Sequence, residues 1–137
     1  MVALQIRVAR SSRQHSLLIA DQEETLRREL EALFRTEGYE THLAADDAEV
    51  VRIVHRERID VVILALELPR TGGLDLLRVI RREVRVEVPC VITAVKVSGR
   101  VQVAALVEDA FTVVPKPVDD ALMKRVVESA LGHRHIY

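Results

Sequence analysis

Short apolar runs alternating with helix-like segments predict a three-layer α/β/α protein built on a five-stranded parallel sheet. Three observations carry that expectation. Leu17–Ala20, Val61–Leu66 and Pro89–Val95 are short and almost wholly apolar, as strands buried on both faces are. Segments with apolar residues at helical spacing fall between them, giving crossovers of roughly 10–15 residues. The chain has 137 residues, 49% hydrophobic and 30% charged, which suits one globular domain with a core of its own.

Each element has its own reason. After Leu17–Ala20, the residues Leu26, Leu30, Leu33 and Phe34 line one face of a helix that Gly38 can stop. Thr41–Ala45 is a short strand, and Asp46 can cap a helix presenting Val50, Val51 and Val54. Val61–Leu66, entered through Asp60 and ended near Pro69, is the strongest strand. Leu76, Leu77, Ile80 and Val84 mark the helix after Gly72-Gly73, a pair that serves a turn. Pro89–Val95 is the fourth strand and Val101–Val107 a valine-rich helix. Phe111–Val114 completes the sheet before Pro115-Lys116-Pro117. The last helix carries Leu122, Val126, Val127, Ala130 and Leu131 and ends near Gly132. Right-handed crossovers leave few topologies, and the flavodoxin-like order 2-1-3-4-5 fits this size.

Composition removes several function classes. Twenty basic against 21 acidic residues give a net charge of −1, so no bulk field recruits nucleic acid or an anionic membrane. No apolar run approaches the roughly 18 residues of a membrane span, and Gln5, Arg7 and Arg10 interrupt any secretory signal. A cytoplasmic protein is expected. The single cysteine, Cys90, rules out an intrachain disulfide framework and reads as a small buried hydrophobe. Residues 1–15 hold Arg7, Arg10, Arg13 and His15 and no acid. They read as a frayed basic extension or an extra edge strand, with too few arginines and no aromatic for a nucleic-acid arm. His133 and His135 have metal spacing, but a site in the tail 133–137 is not expected.

In a parallel sheet of this kind, ligands gather at the carboxyl ends of the strands. Asp21, Gln22 and Glu23 follow the first strand there, and Leu68-Pro69 with Gly72-Gly73 follow the third. Thr93-Ala94 ends the fourth, and Lys116-Pro117 follows the fifth. With LLIADQEE at the first edge and DVVILALELPRTGGLDLL around the third strand, this spacing resembles the receiver domain of two-component response regulators across residues 16–132. The resemblance implies an acidic pair that holds Mg²⁺ and an aspartate ending the third strand as phosphoryl acceptor. It also implies a lysine on the phosphoryl oxygens, a switch hydroxyl ending the fourth strand, and an aromatic on the fifth.

Several positions depart from that pattern. Asp21 matches the first acid, but Gln22 stands at the second. Counting back from Pro69 puts Ala65 at the acceptor position, and a methyl group accepts no phosphoryl. Glu67 falls where the family lends a backbone carbonyl to the metal. Ungapped alignment puts Ala94 at the switch position, and a one-residue slip puts Thr93 there; Val113 replaces the aromatic. Lys116 matches. Asp21 can also be read as a helix cap, and Lys116 as an exposed side chain beside a turn.

The expectation is a pseudo-receiver with weak or no Mg²⁺ binding and no enzymatic activity. It would act by protein–protein contact, with a signalling protein or a second copy as partner. Arg100, Val101, Val107, Val113, Met123 and Lys124 are the candidate interface, with Glu108 and Asp109 on the rim. Lys116, lacking an acceptor aspartate, would pair with Asp21 in a half-exposed ion pair worth about 0–1 kcal/mol. Alternatives are a regulator controlled by a small ligand in the vacated pocket, or a flavodoxin-like cofactor protein. Against the latter, Ala20–Glu24 has no glycine and aromatics are only 3%. Only Gly132–Tyr137 follow the last helix, so no DNA-binding output domain is expected within this stretch.

Overall fold

The computed structural model describes residues 14–83 and 88–135, the last three as backbone alone. Five strands alternate with five helices. In chain order these are β1 (Ser16–Ala20), α1 (Glu24–Thr36), β2 (Glu40–Ala44), α2 (Asp47–Arg56), β3 (Val61–Ala65), α3 (Gly73–Glu83), β4 (Cys90–Ala94), α4 (Gly99–Val107), β5 (Thr112–Pro115) and α5 (Asp120–His135). All pairings are parallel and the strand order is β2-β1-β3-β4-β5, as the sequence predicts.

Alternation within the apolar strands sorts side chains onto two faces. Leu18, Ala20, Val62, Leu64, Cys90 and Ile92 pack under α2 and α3, against Val50, Leu76, Leu77 and Ile80. Leu17, Ile19, Val61, Ile63, Val91 and Val114 pack under α1 and α5, against Leu30, Phe34, Met123, Val127 and Ala130. Burying each large side chain contributes roughly 1.5–3 kcal/mol, so both faces of the sheet must be covered. Cys90 lies wholly inside, and burial pushes its thiol pKa up to about 12.

The helix signals hold where local chemistry enforces them. Asp46 accepts the Glu49 N–H and caps α2. Gly38, at φ +91°, ends α1, and the Tyr39 N–H returns to the Phe34 carbonyl. Gly132 lies near the end of α5, which continues to His135. An exposed glycine costs a helix only about 1 kcal/mol relative to alanine. The side chains of His133 and His135 lie outside the described residues. Pro115 closes β5, where a missing N–H is tolerated because β5 is an edge strand. Of the basic extension, residues 1–13 lie outside the described residues.

Candidate functional site at the carboxyl ends of the strands

Asp21 is fixed first. Its N–H donates to the Ala44 carbonyl at 3.0 Å, carrying the β1–β2 pairing one residue beyond the strands. Its Oδ1 accepts the Glu23 N–H at 2.8 Å, and Arg27 Nη1 donates to its carbonyl at 2.7 Å. The residue capping α1 is Glu23, whose side chain makes no cap bond. Asp21 therefore shapes the turn leading into the helix without occupying the cap itself. Gln22, next in the chain, is exposed.

The ends of β3 and β4 form the middle of the site. Ala65 lies opposite Thr93, and the Leu66 N–H donates to the Thr93 carbonyl. Ala65, Thr93 and Ala94 are all buried. The turn after β3 closes tightly, with the Gly73 N–H on the Leu66 carbonyl. A Cβ on Gly73 would stand 2.4 Å from the Ala65 carbonyl oxygen, so only glycine fits without a backbone shift.

Lys116 completes the site from β5. Its N–H donates to the Ala94 carbonyl, and a cis peptide joins it to Pro117. Its ammonium lies 2.8 Å from Asp21 Oδ2 and 3.2 Å from Glu67 Oε1. The other Glu67 oxygen, Oε2, accepts the Val95 N–H at 3.0 Å. Burial alone would lower the Lys116 pKa, but hydrogen bonding and charge from Asp21 and Glu67 outweigh it and raise the pKa. Two carboxylates thus share one ammonium at the end of the sheet.

Sequence reasoning put Glu67 in the pocket at the backbone-carbonyl position and gave its side chain no role. Its number placed it in the loop, but only the geometry turns its carboxylate onto the neighbouring loops. Beside the cluster, a groove of about 380 Å³ runs between α1 and the loop after β5, with Leu26, Leu30, Val95, Lys116 and Val118 among its lining residues. The lining includes no aromatic ring.

These donors do not suit magnesium. Mg²⁺ wants near-octahedral oxygen ligands, usually including free carboxylates. Asp21 already spends one oxygen on the Glu23 N–H and faces Lys116 with the other, and Ala65 offers no oxygen from its side chain. A cation between Asp21 and Glu67 would have to displace the ammonium. Among the described residues, Glu40, His42 and Glu57 do place ligand atoms within 4.8 Å of one another, at the opposite edge of the sheet.

The candidate interface separates into parts. Met123 is fully buried in the core and has no surface to offer. Lys124 turns toward α1 and pairs with Glu37 at 3.6 Å. Val113 is half-buried against the core, and Val101 is half-buried on α4. Arg100 and Val107 are exposed, the valine at 75%. Glu108 is held by Arg78 from α3, and the Asp109 carbonyl accepts from Arg81. Val95, Val103 and Leu106 join Val107 as large exposed apolar residues that the sequence reading did not single out.

A family model for the response regulator receiver domain matches residues 17–128. The chain belongs to that family. Among curated relatives, the transcriptional regulatory protein GlrR of Escherichia coli (strain K12) is 30% identical over 115 residues, 84% of this chain and 26% of GlrR. Sporulation initiation phosphotransferase F of Bacillus subtilis (strain 168) is 36% identical over 62 residues, 45% of this chain and 50% of that protein. The chain spans 11% of the length of a Vibrio cholerae sensor kinase/phosphatase that it matches and 26% of GlrR. Among solved structures, the receiver domain of an HD domain-containing protein from Pseudomonas fluorescens Pf-5 superposes with TM-score 0.85 at 24% identity. That match covers 91% of this chain and all of the other. A CheY-like receiver from Methanospirillum hungatei JF-1 gives 0.84 at 20% identity, covering 90% and 98%. This is a receiver domain of the two-component response regulators. No helix among its described residues is long and apolar enough to cross a membrane.

Proposed function

We propose that this receiver domain signals without aspartyl phosphorylation, as a pseudo-receiver acting through protein–protein contact. One observation carries the reading: Ala65, buried at the end of β3, occupies the position at which the resemblance places the phosphoryl acceptor. A methyl group has no lone pair with which to attack phosphorus. Glu67 does not replace it, because its carboxylate is engaged by Lys116 and the Val95 N–H. Incubation with Mg²⁺ and acetyl phosphate should leave the intact mass unchanged. A hydroxylamine-labile gain of one phosphoryl group sinks the reading.

The surface best suited to contact is α4, with Val103, Leu106 and Val107 exposed and Arg100 at its start. An apolar centre with a charged rim is the usual composition of a protein interface. The partner is a signalling protein or a second copy of this chain.

A second reading draws on the groove beside Lys116: a small ligand there would control the same surface. Thermal-shift screening separates the two, because a ligand that binds only the folded state raises its melting temperature. A flavin-type cofactor has less support, since the groove lacks a ring to stack on the isoalloxazine.

A further inference from the structure

Glu67 stands in the loop after β3 and touches the loops after β4 and β5 at once. Oε1 meets the Lys116 ammonium at 3.2 Å, and Oε2 accepts the Val95 N–H at 3.0 Å. A cation and a backbone N–H converging on one carboxylate form the donor set that oxyanions select. The Glu67 side chain is 36% exposed and could be solvated instead. Holding it in place costs rotamer entropy, which the pull of both donors has to offset.

The Lys116 ammonium does not depend on Glu67 alone for its position. Asp21 grips Lys116 from the other side at 2.8 Å and is itself anchored by the Glu23 N–H. The Lys116 backbone is tied to the Ala94 carbonyl. Beyond Val95 only Lys96 and Val97 precede Ser98, whose Oγ caps α4 through the Val101 N–H. A hold on the Val95 amide is therefore a hold on the entry to α4.

We propose that Glu67 is a tethered ligand: its carboxylate fills an oxyanion seat made by Lys116 Nζ and the Val95 N–H, clamping the loop that leads into α4. This deepens the phosphorylation-independent reading and rests on it, since a seat filled from within needs no attached phosphoryl group. A free oxyanion must compete with a carboxylate whose effective concentration is set by its tether, and in the wild type the tether wins.

The test is titration of ¹⁵N-labelled protein with inorganic phosphate at constant ionic strength, with chloride as control. In Glu67→Ala, the amides of Val95 and Lys116 should shift saturably. The affinity should exceed the wild type's at least about tenfold, equivalent to removing ~1.4 kcal/mol of competition. Adding Lys116→Met to Glu67→Ala should abolish the shifts. Hydrogen exchange at the Val95 amide should quicken in Glu67→Ala and slow again with phosphate. If Glu67→Ala does not fold, Glu67→Gln carries the same titration, because it keeps an acceptor for Val95 and loses the charge. Equal phosphate response in wild type and variant, no response in either, shifts away from Val95 and Lys116, or unchanged exchange at Val95 would each overturn the proposal. Acyl phosphorylation of the wild type would instead remove the reading beneath it, and the titration would still judge Glu67.

Discussion

Lys116 and Asp21 are more enclosed than their sequence positions suggest, with side chains 12% and 4% exposed. The expectation of a half-exposed pair worth about 0–1 kcal/mol therefore understates what removing one partner does. Without the ammonium, Asp21 keeps the Glu23 N–H on Oδ1 and has a buried charge uncompensated on Oδ2. Lys116→Met should lower the free energy of urea unfolding at neutral pH by about 3 kcal/mol, the scale of a broken buried pair. A loss below ~0.5 kcal/mol, the size of an ordinary surface change, would count against it. The pH dependence has a definite sign. The Lys116 pKa is raised from 10.5 in the fold, so its contribution is complete below 10.5 and is lost as pH rises through the higher folded value. Cys90 acts in the same direction, because the unfolded thiol ionises near 9.0 and the buried one near 12. The difference between wild type and Lys116→Met isolates the lysine: it should stay flat to about pH 10 and narrow above that. The Lys116–Asp21 pairing was legible in the sequence because strand order alone brings both residues to one edge of the sheet. Glu67 was not, because the reach of a loop side chain depends on the turn from Leu66 to Gly73. That turn is set by a backbone approach too close for any Cβ on Gly73.

The five strands were legible at the level of elements to within about a residue, and for β1, β3 and β4 the reason is that burial on two faces demands nearly continuous apolar runs. The helix α4 was legible as a helix but not as a surface. Its residues Val101, Val103, Ala104, Ala105, Leu106 and Val107 form no clean stripe, and Ala105 is the one in this helix that is fully buried. A sequence pattern without periodicity cannot say which side faces water. The same uncertainty placed Met123 on the surface, although α5 directs it into the core beneath β1 and β3. Leu106 and Val107, 76% and 75% exposed, contribute little to folding as placed. Leu106→Glu with Val107→Glu should leave unfolding stability within roughly 0.5 kcal/mol per site, as surface substitutions do. Sedimentation should then show weaker self-association, or pull-down should show loss of partner capture. If both are unchanged while the fold is intact, α4 is the wrong surface.

On the scale of the whole molecule, the departures at Gln22 and Ala65 can be tested by reversing them. A carboxylate at each position would join Asp21 and Glu67 around one ammonium. Like charges about 4 Å apart repel by roughly 4 kcal/mol at an effective dielectric near 20, so the cluster should strain the fold until a divalent cation relieves it. Gln22→Asp with Ala65→Asp should melt below the parent in chelator and recover when Mg²⁺ is added. Recovery should reach about 2.7 kcal/mol at a hundredfold excess over the dissociation constant. The parent, whose Asp21 is already committed to Glu23 and Lys116, should show no such dependence. With beryllofluoride as phosphoryl mimic, chemical-shift changes in the double variant should stay at the ends of β1, β3 and β5. Two features confine them: Val113 has no ring to swing, and Glu67 still holds the Val95 N–H at the entry to α4. A double variant that folds but ignores Mg²⁺ would mean that the register placing Ala65 at the acceptor position is wrong. Shifts spreading along Gly99–Val107 would mean that the clamp on α4 yields, and that this chain retains the coupling between pocket and surface that its fixed contacts argue against.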